Sequence, residues 1–62
     1  MKYGELKRLL KQNKCRLDHQ GSKHEIWYSE RTGQYITVGR HNMREVPKGT
    51  LNSILSSTGI TI

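Results

Sequence analysis

Two apolar stripes of the same spacing bracket this chain. Leu6, Leu9 and Leu10 near its start, and Leu51, Ile54 and Leu55 near its end, each fall at i, i+3, i+4. That spacing predicts a helix with one buried face. Neither helix can cover its own stripe, so whatever lies between must receive both. The intervening residues alternate with the period of strands. Lys14 to Asp18 sets Cys15 and Leu17 against Arg16 and Asp18. Lys23 to Ser29 is rich in Ile, Trp and Tyr, and Gln34 to Val38 carries Tyr35, Ile36, Thr37 and Val38. The order is α-β-β-β-α. An antiparallel three-stranded sheet with both helices on one face buries both stripes, which makes a two-layer α+β sandwich. The opposite sheet face is left to solvent or to a partner. No linker, repeat or low-complexity tract divides residues 1–62, so one domain is expected.

Local signals agree with this order. The first helix is expected over Glu5–Asn13, with Glu5 at the dipole's positive end and Lys11 and Lys14 at its negative end. His19-Gln20-Gly21-Ser22 reads as a loop. Glu30-Arg31-Thr32-Gly33 reads as a hairpin turn, with Gly33 able to adopt φ > 0. Pro47 fits the first turn of the second helix, and Gly59 fits its C-terminal cap. Alternation puts His24, Ile26 and Tyr28 on one side of the second strand and Lys23, Glu25, Trp27 and Ser29 on the other. Ile26 argues that the helices cover the first side and Trp27 that they cover the second; the pattern leaves both open.

Charge narrows the partners. Eleven Lys and Arg stand against five Asp and Glu, a net +6 in 62 residues. Nucleic acid is the commonest reason for such an imbalance in so small a domain. An acidic protein can also account for it. A membrane surface fits poorly, because the basic residues do not line one face of a helix with bulky apolar residues opposite. No stretch approaches the ~20 apolar residues of a membrane span. The single cysteine, Cys15, permits no internal disulfide and is expected as a buried thiol. The start of the chain, Met1-Lys2-Tyr3-Gly4-Glu5, has no apolar run of the kind a signal peptide needs, so a soluble cytoplasmic protein is expected.

Three segments carry a more specific pattern. Gly21-Ser22-Lys23-His24-Glu25-Ile26-Trp27-Tyr28 puts a histidine where a glycine turn leads into a strand. Thr37-Val38-Gly39-Arg40-His41 puts basic groups after the third strand, and Val46-Pro47-Lys48-Gly49-Thr50-Leu51 leads into the last helix. With these three segments in order over nearly its whole length, the chain resembles the HicA family of bacterial mRNA-interferase toxins. Counting back from the aromatic residues of the strand, His24 matches that family's histidine, with Lys23 inserted between it and the Gly-Ser pair. The overall order also looks like a short double-stranded-RNA-binding fold. The resemblance implies ribonuclease activity on mRNA independent of the ribosome, a single key histidine carried over to His24, and a HicB antitoxin that binds and blocks the toxin. It also implies oligomerisation through the antitoxin complex.

The chemistry of RNA suits that implication. RNA carries its own nucleophile, the 2′-hydroxyl. Its cleavage needs a base for that proton, an acid for the leaving 5′-oxygen, and positive charge on the phosphate. An imidazole can serve as base or acid near neutral pH. Asp18, Glu25, Glu30 and Glu45 are scattered and no Cys/His ligand set is present, so no metal or cofactor is expected and a two-metal nuclease is not. Ser22 lacks the partners of a nucleophilic serine and is expected to shape the turn or bond a phosphate oxygen. Lys23, Ser22, Arg40, His41, Arg44 and Lys48 are the expected RNA contacts. Lys7, Arg8 and Lys11 are expected to be a solvated helix face, His19 a solvated loop residue. Trp27 and Tyr35 suit base stacking or antitoxin contact if they face away from the helices, and core packing otherwise. Two other readings stand beside the toxin: a non-catalytic RNA-binding module of the same fold, and a basic interaction protein for an acidic partner.

Overall fold

The computed structural model describes residues 1–61. Its order is helix α1 (Tyr3–Gln12), strands β1 (Cys15–Gln20), β2 (His24–Ser29) and β3 (Gln34–Gly39), and helix α2 (Lys48–Thr58). The strands form one antiparallel sheet in the order β1-β2-β3. This is the expected α-β-β-β-α sandwich. Leu6, Leu10 and Ile54 from the helices are buried against Trp27, Ile36 and Val38 of the sheet, with Val46 and Ile60 closing the cluster. Leu9, Leu51 and Leu55 complete the two stripes as partly buried residues.

The covered face is thereby decided. Trp27 is 2% exposed and pairs with Ile36, and Glu25 pairs with Val38. These residues face the helices. His24, Ile26 and Tyr28 lie on the open face, because alternate strand residues point oppositely. The cost of leaving an indole in water exceeds that of leaving an isoleucine, so Trp27 wins the inside position.

Several boundaries differ from the expectation, each for a local reason. α1 begins two residues early, at Tyr3 rather than Glu5. The first N–H groups of a helix lack partners within it. Here Tyr3 N–H donates to the Arg44 carbonyl and Gly4 N–H to the Asn42 carbonyl, both at 3.0 Å. The segment after β3 thus caps α1, and a Glu5 carboxylate reaches back to the Lys2 N–H at 3.0 Å. Met1 pairs through its ammonium with Glu45, and Val46 N–H donates to the Met1 carbonyl. At the other end, Lys14 has φ +62°, in the left-handed region, so β1 starts at Cys15 instead of Lys14. β1 also runs on through His19 and Gln20, which were expected in a loop. A bulge between Leu17 and His19 lets the ladder continue, with His19 opposite Ile26 and Gln20 opposite Glu25. β2 begins at His24, one residue late, and β3 takes in Gly39 opposite His24. Pro47 is extended (ψ 143°) and caps α2 from outside; Gly33 and Gly59 take the positive φ expected of them.

The chief departure is Lys7. Expected on a solvated face, it is 8% exposed. Its Nζ lies 3.1 Å from Glu25 Oε1, donates to Asn42 Oδ1 at 2.6 Å and reaches the Arg40 carbonyl at 3.4 Å. Trp27 Nε1–H donates to the same Glu25 oxygen at 3.0 Å. Burial pushes the Glu25 carboxyl up. The hydrogen bonds from Trp27 and Lys7 and the charges of Lys7 and Arg40 outweigh it and hold the group below its ordinary value of 4.5.

Two outcomes are expected. Lys7→Met leaves the half-buried Glu25 without its cation and should destabilise the fold by about 1–3 kcal/mol, whereas Lys7→Met with Glu25→Gln should recover most of that loss, both read from urea denaturation midpoints. Glu25 ionises more readily folded than unfolded. Its contribution to stability is therefore complete above pH 4.5 and fades as pH falls through the lower folded value. Denaturation curves from pH 6 down to 3 should show a steeper loss for the wild type than for Glu25→Gln.

Candidate functional site

The N-terminal end of β2 and the loop that leaves β3 lie side by side. His24 opposes Gly39 across the β2–β3 ladder, so the glycine turn before His24 meets the segment after Gly39. Gly21 N–H donates to the His24 carbonyl at 2.7 Å, which closes the turn between β1 and β2. Arg40 Nη1 donates to the Ser22 carbonyl at 2.7 Å and ties the two loops together. Ser22, Lys23, Arg40 and His41 line an open concavity of about 460 Å³ at this corner. His24, next in sequence to Lys23, is exposed on the open sheet face and does not itself line the concavity. Gly39 offers no side chain beside it. A Cβ there would come within 3.0–3.2 Å of the Tyr3 ring, so the ring of α1's first residue occupies that space.

Of the six residues expected to hold RNA, four therefore converge. Arg44 and Lys48 do not line the concavity: both are exposed along the stretch that leads to α2. Arg44 serves that stretch through its backbone, its N–H donating to the His41 carbonyl and its own carbonyl capping α1. Arg8 and Lys11 border a different cleft of about 420 Å³, between α1 and the edge of β1, whose floor is Leu17 and Trp27. Lys7 and Glu25, paired with each other, line this same cleft.

The position of the concavity follows from packing below it. The Arg40 carbonyl and the Asn42 side chain both accept from Lys7 Nζ. The ladder turns Glu25, next to His24 in sequence, inward to meet the same ammonium. The Lys7–Glu25 pair on the helix side thus ties the start of β2 to the loop after β3, both of which adjoin the concavity. Positive side chains at a concave corner, with a backbone held rigid beneath, make a seat for a phosphate group. An exposed imidazole beside that seat can exchange a proton with whatever occupies it. Among the described residues no group of three or more His, Cys, Asp or Glu side chains is placed to hold a metal ion. Nor is any described helix long and apolar enough to cross a membrane.

The open face carries more than was legible beforehand. Trp27 is core, but Tyr35 is 62% exposed and packs on Tyr28, with ring centroids 4.9 Å apart. The Arg16 guanidinium lies over the Tyr28 ring at 5.0 Å and faces Glu30 at 3.4 Å. His19, expected in solvent beyond the sheet, lies on this same face. The bulge places it opposite Ile26, and its Nδ1 is 2.7 Å from Asp18 Oδ2. The two consecutive polar residues Asp18 and His19 end the alternation begun at Cys15, a break that reads equally as the end of the strand and as the bulge found here.

Comparison with curated proteins and with solved structures found no match to the chain. A family model does match. Residues 3–60 fit the model of the HicA toxin of bacterial toxin–antitoxin systems. The match runs from the first residue of α1 to just beyond the glycine cap of α2, and so takes in every element described above. The chain belongs to the HicA family of toxins.

Proposed function

We propose that this toxin acts as a ribosome-independent mRNA interferase, a metal-independent endoribonuclease whose general acid/base is His24. The observation that carries the reading is the corner itself. An exposed imidazole stands beside a concavity lined by Ser22, Lys23, Arg40 and His41, in a chain of net charge +6. A phosphodiester seated there has its charge opposed by Lys23 and Arg40, and its 2′-hydroxyl within the range of His24. Proton removal from that hydroxyl lets it attack phosphorus, which yields a 2′,3′-cyclic phosphate and a 5′-hydroxyl. Ser22 shapes the turn that presents Lys23. Arg44 and Lys48, away from the concavity, would meet the backbone of a strand that continues past it.

Specificity of sequence should be low. Cations read phosphate, not bases, and few groups here can match the edges of bases. Tyr35 and Tyr28 offer a stacking surface, which tolerates any base. The family's place in toxin–antitoxin systems implies an antitoxin partner. We take that partner to be of the HicB type, with acidic groups that cover His24 and the basic corner. Higher assembly would then arise through the antitoxin complex.

The test is cleavage of single-stranded RNA in the presence of EDTA. The wild type should cut, and His24→Ala should cut at least 10²-fold more slowly while retaining its fold and its affinity for RNA. RNA left intact by both proteins, though both bind it, would support a non-catalytic RNA-binding module instead.

A further inference from the structure

In-line attack by a 2′-hydroxyl needs two proton transfers, at opposite sides of the phosphorus. One imidazole at His24 accounts for only one of them in a single step. The sheet supplies a second. Without a bulge, the alternation of β1 would send His19 to the same side as Leu17, beneath α1. The bulge between Leu17 and His19 inserts one residue and turns His19 over, opposite Ile26 on the open face. His24 is two residues from Ile26 on the same strand and the same face. His19 and His24 are therefore diagonal neighbours across the β1–β2 ladder, a relation that sets backbone positions about 7–8 Å apart. A spacing of that order leaves room for one phosphodiester between the two side chains.

His19 is also held ready for such a role. Its side chain is 61% exposed, so a substrate can reach it. An ionised carboxylate can only accept, so the contact of 2.7 Å between Asp18 Oδ2 and His19 Nδ1 requires the proton on Nδ1. That leaves Nε2 as the nitrogen facing outward, with the ring's orientation set by Asp18. When Nε2 is also protonated, ring and carboxylate form an ion pair. No carboxylate is bonded to His24 among the described contacts.

Resting on the ribonuclease reading above, we propose that His19, oriented by Asp18, is a second catalytic residue: the general acid that complements His24. The step balances as follows. His24 accepts the proton of the 2′-hydroxyl as the 2′-oxygen bonds to phosphorus. The bond from phosphorus to the 5′-oxygen breaks, and His19 Nε2–H delivers its proton to that oxygen. Exchange with water then returns both rings to their starting states. Lys23 and Arg40 stay as the charge on the non-bridging oxygens.

The experiment compares two short single-stranded RNAs, one natural and one with sulfur replacing the bridging 5′-oxygen at the cleaved linkage. A thiolate leaves without being protonated, so it removes the need for an acid and not for a base. The proposal expects His19→Ala and His19→Gln to cut natural RNA at least 10²-fold more slowly than wild type, and the sulfur-substituted RNA at close to the wild-type rate. Asp18→Asn should show a smaller loss and the same rescue. His24→Ala should be slow on both. Circular dichroism confirms that each variant is folded. His19 variants that match the wild type on natural RNA, or that are equally slow on both RNAs, overturn the assignment while leaving His24 and the ribonuclease reading in place. Failure of the wild type to cut either RNA overturns that reading, and this one with it.

Discussion

The ion pair of Lys7 and Glu25, at the base of the cleft beside α1, is the interaction on which the rest of this structure depends. Two charges are taken from water in a domain of 62 residues that has little apolar surface to spare. Even partial desolvation of such a pair is costly, and the pair alone seldom repays it. Here the ammonium also donates to Asn42 Oδ1 and the Arg40 carbonyl, while the carboxylate accepts from Trp27 Nε1. One cluster therefore connects α1, the central strand, the buried indole and the loop after β3. Its value lies in what it aligns. The loop it holds carries Arg40 and His41, and the strand it holds begins with His24.

The same loop completes α1. Carbonyls of Asn42 and Arg44 accept from the first N–H groups of the helix, and Glu45 pairs with the chain's ammonium terminus. Helix and loop are thus mutually dependent. The loop supplies the acceptors that cap the helix end, and the helix supplies the donors and the Lys7 ammonium that the loop accepts from. In a marginal domain this couples the site's geometry directly to folding. Loss of the cluster should loosen the cationic corner as well as lower stability.

How much of this was legible in the sequence varies by the kind of signal. The element order, the paired stripes of Leu6/Leu9/Leu10 and Leu51/Ile54/Leu55, and the turns at Gly33 and Gly59 are local, and local patterns recover them. The convergence of Ser22, Lys23, Arg40 and His41 was approachable because hairpin pairing brings the start of β2 beside the end of β3. Three features were not readable. Lys7 borders the apolar stripe, three residues before Leu10, while Arg8 and Lys11 lie farther round the helix, but a helical pattern cannot show that a bordering cation will meet a carboxylate from the sheet. The covered side of β2 was ambiguous because Ile26 and Trp27 both favour burial. The bulge at Leu17–His19 inverts the facing of a residue through a change of register, and register belongs to the strand pair rather than to either strand. Arg44 and Lys48 were expected at the site because they are basic and nearby in sequence; the path of the segment into α2 carries them past it.

Family membership and geometry thus support one account, in which a toxin of this size presents its chemistry on the open sheet face and the adjoining loops. The helix face, with its own basic cleft at Arg8 and Lys11, is the competing surface. The most direct measurement is chemical-shift mapping of ¹⁵N-labelled His24→Ala protein titrated with uncut single-stranded RNA. The account predicts shifts confined chiefly to residues 19–24 and 39–41, with Tyr28 and Tyr35 following as the strand is lengthened. Shifts centred on Arg8 and Lys11, with His19, Lys23 and Arg40 unmoved, would contradict it.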